Sequence, residues 1–228
     1  YISNKIKQKM DVSVIIISYN TKDITLNCIQ SIYDQTNGIN YEIIVVDNAS
    51  VDGSQEAIKS IFPNILLIEN KENLGFGRAN NLGVKSAKGE YLFFLNSDTV
   101  LKNNAIKIFY DFYQSNDLKK VGCIGCILEN KTGEKIHSSG KFPSMRKILE
   151  NTFLGYFNRH RHIEQTKKEK LFFEIDENYF EVDYVTGADL FIRKDYFERL
   201  SGFDADFFMY YEETDLQKRM SNLEFKQY

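Results

Sequence analysis

Apolar residues fall into short, nearly unbroken blocks that recur along the first half of the chain. Residues 12–17 (VSVIII), 42–46 (EIIVV), 65–68 (ILLI) and 91–95 (YLFFL) are almost wholly apolar, as strands covered on both faces of a parallel sheet are. Between them the apolar spacing turns helical. Ile24, Cys28, Ile29 and Ile32 mark a helix over 24–33 that Thr21 or Asp23 can cap. Further helices are predicted over 54–61 and 80–87, the latter entered through the glycines of NLGFGRANNLG (73–83). Strands alternating with helices at this interval predict an α/β fold, a Rossmann-like doubly wound and mostly parallel sheet, because right-handed crossovers place a helix on each connection. The second half is less regular. Its pattern predicts a helix over 105–114, a strand over 121–128, a turn at 130–134, short strands at 182–185 and 190–192, and helices over 194–200 and 213–220.

A chain of 228 residues, 43% hydrophobic and 14% aromatic, is long enough to build one substantial core. Net charge is −3 with acids and bases intermixed, so nothing global recommends a nucleic-acid partner. Three sparse cysteines and the lack of any apolar run of about 18 residues point to a reducing, cytosolic setting. Cys123 and Cys126 form a C-x-x-C without basic neighbours or a second pair, and read as buried strand cysteines. His137, His160 and His162 lack metal-like spacing and read as surface residues. The chain begins at Tyr1 and ends in SNLEFKQY, which suggests a fragment truncated at its C-terminus.

In doubly wound sheets, ligands bind beyond the carboxyl ends of the strands. The residues just past the predicted strands are Ser18, Tyr19 and Asn20; Asp47 and Asn48; Glu69 and Asn70; and Asn96, Ser97 and Asp98. Strand ends are often polar merely because they meet water, but four at one edge suit a ligand. A carboxylate such as Asp47 can accept from the imide N–H of uracil or thymine, and Tyr19 offers a ring for the base. Asp98 with Asn96 can hold one divalent ion, Mg²⁺ or Mn²⁺, with diphosphate oxygens and waters completing its shell. Arg78 stands where a helix start can meet a base edge or phosphate, beside glycines that permit close approach. Gly75, Gly77 and Gly83 do not spell the dinucleotide fingerprint and follow the third strand, not the first. Further on, GFDADFFMYYEETDLQKRM (202–220) runs from aromatic residues straight into Glu212, Glu213 and Asp215. Acids in a first helical turn complement the macrodipole, while a carboxylate beside aromatic walls can also serve as a general base.

Taken together, VSVIIISYN, EIIVVDNASVDGS, NLGFGRANNLG, FLNSDT and VTGADLFIRKDYFERLSGFDADFFMYYEETDLQKR, in that order over residues 12–219, resemble the family 2 glycosyltransferases of the GT-A fold, especially their bacterial rhamnosyltransferase-like branch. The resemblance implies a single domain with a nucleotide-binding half at about residues 10–100 and an acceptor-side half beyond. It implies inverting transfer of a sugar from a UDP- or dTDP-sugar, dTDP-rhamnose among them, to a saccharide or lipid-linked hydroxyl in bacterial cell-surface polysaccharide synthesis. By likeness, Ser18, Tyr19, Asn20, Asp47, Asn48, Arg78, Asn96 and Ser97 surround the donor, Asp98 is the metal-binding acid, and Gly187, Ala188 and Asp189 line the sugar pocket. Asp189 equally suits a capping or salt-bridged role. The family's base is usually the Asp of a Glu-Asp pair; here the pair is Glu212-Glu213, Glu213 is the matching position, and the extra methylene leaves open which of the two acts. Asn96 stands where many relatives carry an acid.

Met145, Ile148, Leu149, Phe153, Tyr156 and Phe157 recur at helical spacing within a basic insertion near 141–170. Such a stripe suits either packing on the domain or peripheral contact with an anionic membrane on its cytoplasmic side. Two rivals to the transferase are a sugar nucleotidyltransferase, which would need a glycine-rich basic loop where SYNTKDITL stands, and a non-catalytic carbohydrate-binding module on the same fold.

Overall fold

The computed structural model describes residues 9–115, 120–143 and 179–228. The four apolar blocks become β1 (Val12–Ser18), β2 (Tyr41–Asp47), β3 (Leu66–Glu69) and β4 (Tyr91–Asn96), joined by α1 (Lys22–Gln35), α2 (Ser54–Ile61) and α3 (Phe76–Val84). After them come α4 (Ala105–Ser115), β5 (Val121–Ile124), β6 (Ser139–Gly140), β7 (Tyr184–Val185), β8 (Asp189–Arg193), α5 (Lys194–Arg199), α6 (Glu212–Ser221) and β9 (Lys226–Gln227). A seven-stranded sheet runs in the order β3, β2, β1, β4, β8, β5, β9, while β6 and β7 pair separately. Strands β1 to β4 are parallel, and β8 is inserted antiparallel between β4 and β5.

Alternate side chains of the sheet feed two cores. Val14, Ile16, Val45 and Phe93 point to one side, against Ile29 and Ile32 of α1 and Ile106 and Phe109 of α4. Ile15, Ile44, Val46, Leu92 and Phe94 point to the other, against Ala79 of α3 and Leu216 and Met220 of α6. Burial on both faces explains why β1 and β4 lack the polar alternation of a half-exposed strand.

Four local expectations change. Helix α3 starts at Phe76 instead of residue 80, because Gly75 adopts φ 79° and turns the chain directly into the helix. The predicted strand over 121–128 stops at Ile124, since β8 pairs with Cys123 and Ile124 only. Cys126 therefore lies beyond the strand and is exposed, not buried as expected, whereas Cys28 and Cys123 are buried. Finally, Thr21 occupies the N-cap of α1 without a capping hydrogen bond; its hydroxyl contacts Thr25 at 3.0 Å, and Asp52 takes the Lys22 N–H at 2.9 Å. His137 is exposed as expected. The helical stripe from Met145 to Phe157, with His160 and His162, lies outside the described residues. Among the described residues no helix is long and apolar enough to cross a membrane.

The inserted strand is anchored by Phe191, which is fully buried. Its ring lies 5.3 Å from that of Tyr91, 5.5 Å from Phe109, 6.0 Å from Phe93 and 5.9 Å from Tyr113. Phe191→Ala is expected to lower the free energy of urea unfolding by about 3–5 kcal/mol; a loss below about 1 kcal/mol would show that the ring cluster does not hold β8 in place.

Candidate active site

Parallel pairing brings the carboxyl ends of β1, β2 and β4 to one edge: Ser18 pairs with Asp47, and Ile17 with Asn96. Because β8 runs the opposite way, its first residue arrives at that edge too. Asp189 pairs with Leu95, and the Asn96 N–H donates to the Ala188 carbonyl at 2.9 Å. Gly187 continues the line: a Cβ placed on it would lie 3.4 Å from the Phe76 ring and 3.7 Å from the Glu213 Cβ. Helix α6 thus presents its acid pair across the edge where the parallel strands end.

Asp47 is fully buried at the end of β2. Its Oδ1 accepts the Ser50 N–H at 2.8 Å and the Gln55 amide at 2.7 Å, while Oδ2 has no hydrogen-bond donor. Asn48 is also buried and donates to Asn73 Oδ1 and the Gly75 carbonyl while accepting from Asn70. Its side chain ties the ends of β2 and β3 to the entry of α3. Asn20 and Ala49 both take left-handed backbone, φ 53° and 66°, so the loops after β1 and β2 turn tightly enough to interlock. Asn20 N–H donates to Ser50 Oγ, and Asn20 Oδ1 accepts the Val51 N–H, each at 2.9 Å. Beside them Tyr19 is 49% exposed, a ring face open at the rim. The Ser18 hydroxyl is buried and joins a hydroxyl chain through Thr25 and Thr21 to Ser97, so its first duty is to link β1 to the loop after β4.

The glycines of NLGFGRANNLG make room for protein. A Cβ on Gly75 would stand 2.2 Å from the Phe208 carbonyl oxygen, one on Gly77 3.2 Å from the Phe203 Cβ, and one on Gly83 2.8 Å from Ile15. Arg78, exposed, donates from Nε to the Ala205 carbonyl at 2.7 Å, and Asn81 makes paired hydrogen bonds with the Phe203 backbone. The first turns of α3 therefore carry the loop over residues 203–208, which leads into the acid pair.

Asn96 and Ser97 are half-buried and Asp98 is exposed. The Asn96 carbonyl accepts the Thr99 hydroxyl at 2.7 Å and N–H at 3.1 Å, holding the turn. Among the described residues, no three His, Cys, Asp or Glu side chains converge as a ready-made metal centre. A single exposed carboxylate with a neighbouring amide is nonetheless a donor set that Mg²⁺ or Mn²⁺ accepts, because these ions keep several water or phosphate oxygens. Asp98 and Asn96 fit an ion delivered with a diphosphate, and do not fit one held by protein alone.

The two glutamates differ in environment. Glu212 is 2% exposed, packs beside Gly77, and has no donor on Oε2; burial raises its pKa, and the Glu213 charge adds to the effect. Glu213 is half-buried, faces Gly187, and accepts the Thr214 hydroxyl at 3.2 Å. Tyr210 and Tyr211, just before them, both have φ 71°. Left-handed backbone at two bulky residues costs on the order of 1–3 kcal/mol each, and such strain collects at functional sites. Asp189 is 2% exposed; Oδ2 accepts the Cys126 N–H at 2.6 Å and Oδ1 has no donor. This bond ties the start of β8 to the segment that follows β5.

The sequence pattern did not single out Gln55 or Gln217. Gln55 belongs to the first turn of α2, and the signal for it is the rule that a buried carboxylate needs donors from the element that follows its strand. Gln217 carries no signal, because three of its four hydrogen bonds go to Val185 and Cys123 on strands remote in sequence.

A family model described as Glycosyl transferase family 2 matches residues 13–200, more than half of the chain. The poly(ribitol-phosphate) beta-glucosyltransferase of Bacillus spizizenii is 36% identical over 112 residues, 47% of this chain and 18% of that protein. The N-acetylglucosaminyl-diphospho-decaprenol L-rhamnosyltransferase of Mycobacterium tuberculosis is 26% identical over 190 residues, 78% of this chain and 60% of that one. The chain thus spans less than two thirds of the length of these relatives. Among solved structures, S. aureus TarS 1-349 in complex with UDP superposes with a TM-score of 0.66 at 16% identity, covering 92% of this chain and 55% of that one. A mannosyltransferase from Pyrobaculum calidifontis in complex with GDP-Man and Mn²⁺ gives 0.63 at 17% identity, covering 97% and 55%. At these identities the superpositions establish a shared fold.

Burial pushes the Asp189 carboxyl from 3.8 up to about 6. A carboxyl whose folded pKa is raised stabilises the fold in its protonated form. That contribution is complete below pH 3.8 and is lost as pH rises through about 6. Wild-type stability should therefore fall across this window relative to Asp189→Asn, by on the order of 3 kcal/mol for a shift of about two units. Urea midpoints measured in steps from about pH 4 to about pH 7 read the difference, and parallel curves for the two proteins would refute it.

Proposed function

The chain belongs to glycosyl transferase family 2, and from that premise we propose that it moves a sugar from a nucleoside diphosphate donor to a hydroxyl of a saccharide or lipid-linked acceptor, with inversion, in bacterial cell-surface polysaccharide synthesis. The observation that carries the proposal is the convergence at one edge of Asp47, the Asn96–Asp98 turn, the 187–189 segment and Glu213. UDP- and dTDP-sugars are the preferred donors. The Asp47 Oδ2 lacks a donor that the imide N–H of uracil or thymine would supply, and the exposed Tyr19 ring suits stacking on a base. The names of the relatives support the acceptor classes: one acts on poly(ribitol phosphate), another on a decaprenol-linked sugar. The UDP and GDP-Man complexes of the structural neighbours support a nucleotide donor.

Glu213 takes the proton of the acceptor hydroxyl as that oxygen forms its bond to the anomeric carbon and the bond from that carbon to the diphosphate oxygen breaks. The electron pair leaves with the nucleoside diphosphate, and the face of attack inverts the centre. Glu213 suits this better than Glu212 because it is accessible and faces Gly187, whereas Glu212 is enclosed against Gly77. Asp98 and Asn96 would hold a divalent ion, which when bound would offset the charge developing on the diphosphate. Gly187 and Ala188 leave room for the sugar. A sugar nucleotidyltransferase is disfavoured because the loop after β1, from Tyr19 to Thr21, has neither glycine nor arginine to cradle phosphates.

A thermal-shift screen with UDP- and dTDP-sugars, with and without Mn²⁺, tests the proposal. Stabilisation by at least one donor is expected, abolished in Asp47→Ala and weakened in Asp98→Ala; no shift with any nucleotide would sink it. With that donor, Glu213→Gln should still bind yet release nucleoside diphosphate roughly 10²–10⁴-fold more slowly, the usual worth of a general base. Glu212→Gln should lose far less, and the reverse ranking would move the base to Glu212.

A further inference from the structure

Gln217 lies one helical turn after Glu213 and is fully buried. Every hydrogen-bonding capacity of its amide is used. Nε2 donates to the Val185 carbonyl at 2.7 Å and to the Glu213 carbonyl at 3.0 Å. Oε1 accepts the Val185 N–H at 2.8 Å and the Cys123 thiol at 3.1 Å. The side chain thus pairs with both backbone groups of Val185 as a neighbouring strand would, and grips the first turn of α6 through the carbonyl of Glu213 itself. Val185 closes β7 and leads through Thr186 to Gly187, the residue against which Glu213 stands. Val185 is itself fixed, since a Cβ on Gly125 would come within 3.0 Å of its side chain.

We propose that Gln217 is the positioning residue that sets Glu213 against the 185–189 segment, and so against the anomeric carbon of the donor sugar. The inference rests on Glu213 acting as the base. The amide bridges backbone to backbone, so it defines the distance between helix and strand more rigidly than apolar packing would. Without it that bridge is lost, and a displacement of about 1 Å is enough to slow a reaction by about two orders of magnitude.

Gln217→Met keeps length and volume while removing all four hydrogen bonds; Cys123→Ala removes only the thiol contact. Two measurements are made on the folded proteins: steady-state kinetics with the donor found by thermal shift, and amide hydrogen exchange at Val185. In Gln217→Met the kcat is expected to fall roughly 10–100-fold with donor KM within about twofold, and Val185 protection should drop. Cys123→Ala should keep kcat near wild type. A purely structural role would instead lower the melting temperature while leaving kcat per folded molecule intact, and that result overturns the proposal. So would an equal loss of kcat in Cys123→Ala. These outcomes are read against an active wild type; a wild type that turns over no donor refutes the transferase proposal itself, and the positioning role falls with it.

Discussion

The pairing of β8 with β4 is the constraint on which the rest of this molecule depends. Strand β4 is buried on both faces and needs hydrogen-bond partners on both edges. One is the parallel β1; the other is supplied by a strand that arrives from the far side and runs backwards. Reversal has a geometric consequence: the start of β8, not its end, meets the carboxyl edge of the parallel strands. Asp189 lies beside Leu95, and Ala188 receives the Asn96 N–H. The same pairing buries Phe191 among four aromatic rings, so the apolar effect that stabilises the sheet also fixes the edge.

Around that edge, polar groups serve the protein before they serve a ligand. Asn48 commits its amide to Asn73, Gly75 and Asn70, and Arg78 anchors the 203–208 loop through Ala205. Gly75 has to be glycine twice over, for its φ of 79° and for the carbonyl of Phe208 that a Cβ would strike. This interlocking supports the strained backbone at Tyr210 and Tyr211 and delivers two adjacent acids into different surroundings. Burial favours the neutral form of Glu212, while Glu213 stays half-exposed at the rim. Separation of paired carboxylates by environment is how one fold gives them unequal roles.

How much of this was legible in the chain follows from the range of the forces involved. Strands β1, β2, β4 and the helices between the strands could be read from apolar blocks and their spacing, because burial on both faces of a strand leaves a local pattern. Strand β3 carries the same apolar run but lies at the sheet edge, with Leu66 40% exposed. Asp47, Asn48, Asn96 and Asp98 could be placed at one edge for the same reason: parallel strands share a carboxyl end. The glycines of NLGFGRANNLG were visible as glycines, but not that they make room for Phe208, Phe203 and Ile15, residues remote in sequence or on another element. Cys126 could not be told from Cys123, since the strand predicted to carry both ends at Ile124, where its pairing with β8 ends.

Composition and pattern by themselves determined the doubly wound sheet, the shared edge where its parallel strands end and the adjacency of Glu212 and Glu213 at a helix start. Tertiary structure decided the direction of β8, which of the two glutamates is enclosed, and the bridge made by Gln217 between Glu213 and Val185. Those depend on contacts between segments far apart along the chain, where no periodicity records which partner a backbone group will find.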